Sequence, residues 1–191
     1  MADGDWVKLM RKWYLWAIVI VMSAGGLGIF AWQNWEKVDV AVVTGIESLA
    51  KKDHAVARNY FSQNDYLQLM AIFTVGNQSI EEAIARNLTV EVIDYQRFQG
   101  YYMVNCWITN RDVSEVFRRI KQEYQLSTDT VEDILKDPLL SQAFASAMYN
   151  PDIPLITRTV TVRVNLAGIQ YNILPESEWM DAAMGGWLFL P

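Results

Sequence analysis

Between Trp13 and Trp35 the chain runs for 23 residues without an acidic or basic side chain. At the helical rise of 1.5 Å per residue such a run spans about 34 Å, enough for a hydrocarbon core of about 30 Å. A transmembrane helix is therefore expected over residues 13–35. Its edges are aromatic, with Trp13, Tyr14 and Trp16 at one end and Phe30, Trp32 and Trp35 at the other. Amphipathic rings prefer the headgroup level, so Trp13, Trp16, Trp32 and Trp35 are assigned to the membrane interface. Ala24 and Gly28 stand four apart, a spacing of small residues that lets helices approach closely in lipid. Lys8, Arg11 and Lys12 precede the span while Glu36, Lys37 and Asp39 follow it, which puts the N-terminus in the cytoplasm. The rival reading is a cleaved signal peptide, with small residues at Ala24-Gly25-Gly26. The apolar stretch continues through Leu27 to Trp32, which favours an anchor. The expected organisation is a cytoplasmic arm (1–12), a membrane helix (13–35) and an extracytoplasmic domain (36–191).

Charge separates these parts. Of the net −6, residues 1–35 contribute +1 from three basic and two acidic side chains, leaving −7 on the remainder. An acidic domain is a poor nucleic-acid binder, because phosphate contacts need clustered Lys and Arg. The single cysteine, Cys106, excludes an intramolecular disulfide, and His54 is the one imidazole. No catalytic, cofactor or metal site is expected. There is no Gly-x-Ser-x-Gly and no phosphate-binding glycine loop outside the membrane segment. Glu132, Asp133 and Asp137 lack the interleaved pattern of a calcium loop.

Within the domain, hydrophobic period decides the elements. Ile46, Leu49, Ala50, Ala57, Tyr60 and Phe61 predict an amphipathic helix over 40–61. Asn64-Asp65 is read as the cap of a helix through Phe73, and Ser79 to Glu82 as a capping box opening a helix to about Arg86. Alternation at Leu88, Val90, Val92 and at Tyr102, Val104, Cys106, Ile108 predicts two strands joined by a turn at Gln99-Gly100. Cys106 falls on the apolar phase and is read as a buried thiol. A second helical block follows. Asp112 to Glu115 caps a helix whose apolar stripe is Val113, Val116, Phe117, Ile120 and Tyr124; a helix over Asp129–Lys136 comes next, and Pro138 opens another that ends near Tyr149. Val160, Val162 and Val164 then mark a strand, with a partner carrying Ile169, Tyr171 and Ile173 after Ala167-Gly168.

Two features remain for partner contact. Arg118, Arg119 and Lys121 form the one dense basic cluster beyond the membrane flank, either a solvated helix face or a docking patch for an acidic partner. The chain ends in Trp179, Met180, Met184, Trp187, Leu188, Phe189 and Leu190, too apolar for a free tail. Trp187 and Phe189 are thus expected to dock on their own domain, on another subunit or on the membrane.

Tyr149-Asn150-Pro151, leading through Pro154 into Thr159-Val160-Thr161-Val162-Arg163-Val164, completes a pattern of one anchor, leading helices and late strands. In this the chain resembles the inner-membrane scaffold subunits of type IV secretion and conjugation machines, the IcmL/DotI and TrbF groups. The resemblance implies a nuclear-transport-factor-like α+β domain in the periplasm and a role in assembly rather than catalysis. The expected fold class is α+β, with helices packed on a small, mainly antiparallel sheet. The expected partners are the lipid bilayer and other membrane-complex subunits in a homo- or hetero-oligomer, with no nucleic acid. An accessory subunit of a membrane-embedded energy-converting complex, or a membrane-anchored enzyme with an unrecognised site, are the alternatives.

Overall fold

The computed structural model describes residues 37–127, 130–168 and 170–190. Among them no helix is long and apolar enough to cross a membrane. The span expected over Trp13–Trp35, with its interface tryptophans and with Ala24 and Gly28, lies outside the described residues.

The domain opens with α1 (Val38–Ala50), α2 (His54–Ala57), α3 (Gln63–Ile72) and α4 (Gln78–Asn87). The single helix expected over 40–61 is broken, because Lys52 takes a left-handed φ of 56° and Asp53 recaps the chain by accepting from the Val56 N–H at 3.2 Å. Ala57 and Phe61 are buried all the same, so the apolar period survives the break. The caps of the next two helices also fall earlier than expected. Ser62, not Asn64, caps α3 by accepting from the Asp65 N–H, and Asn77, not Ser79, caps α4 by accepting from the Ile80 N–H. Glu81 instead reaches back beyond the cap to the Val75 and Gly76 N–H groups at 2.7 and 3.1 Å. Its other oxygen pairs with Lys52 at 2.5 Å, fastening α4 to the break after α1.

β1 (Thr89–Phe98) and β2 (Tyr101–Arg111) form the expected hairpin, turning at Gly100 with φ 87°. With β3 (Leu155–Ala167) and β4 (Gln170–Ile173) they make an antiparallel sheet in the order β1-β2-β3-β4. One face, carrying Val90, Val104, Cys106, Ile108, Val160, Val162, Val164 and Ile173, is buried in a core with Val42, Ile46 and Leu49 of α1. Trp179 of α8 (Ser177–Ala183) closes that core, its ring stacked on Phe61 and near Phe73. A register shift between Val92 and Asp94 bulges β1. Burial pushes the Cys106 thiol up to about 12, as suits a thiol on the apolar side of its strand.

Between β2 and β3 the chain builds a second core from helices. α5 (Val113–Glu123), α6 (Val131–Lys136) and α7 (Pro138–Met148) pack Val113, Val116, Phe117, Ile120, Ile134, Phe144 and Met148 against Ile80 and Ile84 of α4. Asp112 and Asp137 cap α5 and α7. Pro138 opens α7, where its missing N–H costs no helical bond. Tyr124, expected in the α5 stripe, lies past the helix end and is exposed. The helix expected from Asp129 begins at Val131, and Asp129 is outside the described residues.

Candidate partner-binding surface

Three features face solvent and carry contact chemistry. The first is the basic face of α5. Glu115 lies one turn before both arginines, so one carboxylate gathers Arg118 Nη2 at 2.6 Å and Arg119 Nε at 2.8 Å. These two guanidinium hydrogen bonds hold the Glu115 carboxyl down at about 2 and raise Arg118 above its ordinary value. Arg119 also donates to the Asp152 carbonyl at 2.9 Å, and the Lys121 ammonium stands 5.6 Å from the Phe117 ring centre. Much of the charge of Arg118 and Arg119 is therefore committed to Glu115, leaving a braced face rather than three free cations.

The second feature is the C-terminal tail. Of the three sites open to it, its own domain takes most of it: Trp179, Met180, Ala182, Ala183 and Met184 are buried. Asp181, 1% exposed, pairs with Arg158 and accepts from the Leu188 N–H at 2.9 Å. The buried Asn110 donates from its amide to the Ile84 and Ala183 carbonyls, joining α4, β2 and α8. Gly185, at φ 68°, accepts at its carbonyl from the Val113 N–H at 3.0 Å, and a Cβ there would stand 2.1 Å from the Arg111 carbonyl oxygen. Trp187 sits edge-on to Phe144 with centroids 5.9 Å apart and touches both cores. Phe189, two residues on in a 3₁₀ turn (Trp187–Phe189), keeps 70% of its surface exposed. The tail and the start of α5 thus meet at Val113. The structure brings Arg118 with Arg119, and Trp187 with the cores, but leaves Phe189 free.

The third feature, which sequence reasoning passed over, is the outer face of the sheet. Here Trp107 is 48% exposed between Glu91 on β1 and Thr159 on β3. Beside it a polar ladder crosses three strands: Asn105 donates to Asp94 at 2.6 Å and accepts from Thr161 at 2.8 Å. Phe98 stacks on Tyr101 at 4.9 Å, and the Arg163 guanidinium lies 4.6 Å from the Tyr101 ring centre. Trp107 on the polar phase of β2 was the legible signal.

A groove of about 340 Å³ lies elsewhere, lined by Arg58, Phe61, Gln63, Tyr66 and Leu67. At its wall Tyr66 Oη is 2.5 Å from His54 Nδ1, and the Arg58 guanidinium lies over the Tyr66 ring. Among the described residues no group of three or more His, Cys, Asp or Glu side chains is placed to hold a metal ion. Asp133 pairs with Lys136, and Asp137 caps α7.

No protein-family model matches the chain, and no curated protein matches it. Among solved structures, a Bacillus subtilis protein described as a lipoprotein (YcdA) aligns at 15% identity with a TM-score of 0.37. The alignment covers 78% of this chain and 49% of that one, so the chain spans about half the length of the structure it matches. A likeness of that degree leaves the fold and the surface to be read from this chain's own geometry.

Proposed function

We propose that this protein is a non-enzymatic, single-pass membrane subunit that scaffolds an envelope-spanning protein assembly, of the kind found in type IV secretion or conjugation machines. In this reading residues 1–12 are cytoplasmic, 13–35 cross a bacterial inner membrane and the domain works in the periplasm. The observation that carries it is the pairing of an uncharged 23-residue span with a domain that has its own core and begins at Val38. Further support comes from the surface: Trp107 and Phe189 stand exposed, and aromatic anchors of this kind dominate contact energetics at interfaces.

The test is photo-crosslinking in the membranes of the native host, with a photoreactive phenylalanine analogue replacing Phe189. Adducts to integral subunits of a channel or secretion complex are expected. Adducts to redox subunits, or none from Phe189 and none from a second probe at Trp107, would overturn the reading.

A further inference from the structure

α1 runs away from the β1–β2 turn and toward the helical core. Its far end is held there: Lys52, just beyond it, pairs with Glu81 of α4, and the Ile84 carbonyl of α4 accepts from Asn110 near the end of β2. Its middle lies close to the turn. Gly45 sits against the Ile173 side chain, whose register partner Val164 faces Tyr102, one rung from the Phe98–Tyr101 pair that closes the hairpin. Val38 is a further seven residues back, about 10 Å at the helical rise. The start of α1 therefore reaches the level of the hairpin tip, at the end of the domain opposite the helical core.

The chemistry of this end departs from the rest of the domain. On the outer face Phe98 stacks on Tyr101, and Arg163 lies over the Tyr101 ring. On the core face Tyr102 meets Tyr95 and Tyr171 edge-on, and the Arg97 guanidinium stands 5.8 Å from the Tyr102 ring centre. Tyr95 and Phe98 are exposed. Counted from the turn, the rungs Phe98–Tyr101–Asn165, Arg97–Tyr102–Val164 and Gln96–Met103–Arg163 carry two arginines and no carboxylate. The first acid along these strands is Asp94, which already accepts from Asn105. At the start of α1, Lys37 and Asp39 offset one another. Residues 36–191 carry −7 in all, so a basic, aromatic tip runs against their average.

We infer that this tip, the Phe98–Tyr101 turn with Arg97 and Arg163, seats on the lipid headgroups of the bilayer that anchors the chain. The inference rests on the anchored reading of residues 13–35. That span ends at Trp35, and the three steps of chain to Val38 reach about 10 Å when fully extended, which keeps the start of α1 and the tip level with it close to the headgroups. This tether singles out lipid over a protein partner, because it holds the tip beside the bilayer whatever else is bound. Tyrosine rings prefer the headgroup level, and arginine lays its stem on apolar surface while its guanidinium meets phosphate.

The experiment uses the full chain in vesicles of phosphatidylethanolamine and phosphatidylglycerol that contain a headgroup-nitroxide lipid. Gln99→Cys at the tip and Leu139→Cys at the start of α7, both exposed positions, each carry a small fluorophore; the native Cys106 is buried and stays unlabelled. The probe at Gln99 should lose most of its emission to the nitroxide and the probe at Leu139 little. Adding Phe98→Ser and Arg163→Glu to the Gln99→Cys chain should lower its quenching to the Leu139 level with circular dichroism unchanged. Flotation separates this inference from the reading beneath it. A chain that floats with the vesicles but is quenched equally at the two positions overturns the inference and leaves the anchor standing; a chain that does not float overturns both. Quenching at Gln99 that survives the added substitutions also overturns it. If the multiply substituted chain does not fold, the Gln99 and Leu139 pair decides.

Discussion

The two cores of this domain are built on different plans. The sheet-side core gathers segments far apart in the chain, from Val38 on α1 to Met184 after α8, around β1 to β4. The helical core is drawn mainly from the stretch Val113 to Ile153, joined by Ile80, Ala83 and Ile84 of α4. The first depends on non-local pairing; the second depends on caps and a local apolar period. What makes them one domain is the seam of Asn110, Asp181, Gly185 and Trp187 contributed by β2 and the tail. Damage at the seam should therefore reach both cores, and damage inside one should stay there.

Gly185→Ala should be the most damaging change. A methyl 2.1 Å from the Arg111 carbonyl, on a residue with φ 68°, forces the tail off α5. The cost should be about 4–5 kcal/mol, read from the denaturant midpoint. If hydrogen exchange then rises in α5–α7 as well as in the sheet, the seam couples the cores; a rise in one alone breaks the comparison. Trp179→Ala, which empties a fully buried site against Phe61 and Phe73, should cost about 3–4 kcal/mol and loosen the sheet side first.

Asp181→Asn removes the buried charge that faces Arg158. Because Arg158 keeps about a third of its side chain in water, the loss should be about 2 kcal/mol, below that of a wholly buried pair. Asp137→Ala deletes the cap of α7, with an expected loss of about 1 kcal/mol and faster exchange confined to the helical core. Glu115→Gln should have the smallest effect, since its partners are largely exposed. Its signature is pH dependence. Folding holds the carboxyl at about 2 against an ordinary 4.5, so its contribution is present above about 4.5 and fades as pH falls toward 2. Wild type and Glu115→Gln should therefore differ in thermal midpoint at neutral pH and converge near pH 2.

How legible these regions were in the sequence follows from their physics. The strands were readable because burial on one face imposes a period of two, and Val104, Cys106 and Ile108 lie inside as that period requires. The cap at Asp112 and the helix start at Pro138 were readable because helix initiation is local chemistry. The break at Lys52 was not, because a left-handed lysine leaves no signal in an apolar stripe that continues past it. The Asn77 and Ser62 caps were missed by two residues because each sequence offers several cap-competent side chains in a row. On the surface, Arg118, Arg119 and Lys121 were visible as a run of charge, but the commitment of the two arginines to Glu115 needed the helix geometry. The seam was hidden for a different reason: Asp181 and Arg158 are 23 residues apart, and only tertiary packing pairs them.

The proposed role is that of a membrane subunit that works through protein contacts. The most direct measurement is purification of the full chain from native membranes in a mild detergent, followed by identification of what accompanies it in stoichiometric amount. Under that role the chain should stay in the membrane through an alkaline wash and then be recovered with subunits of a channel or secretion assembly. Release by the alkaline wash, or recovery with redox subunits in their place, would contradict it.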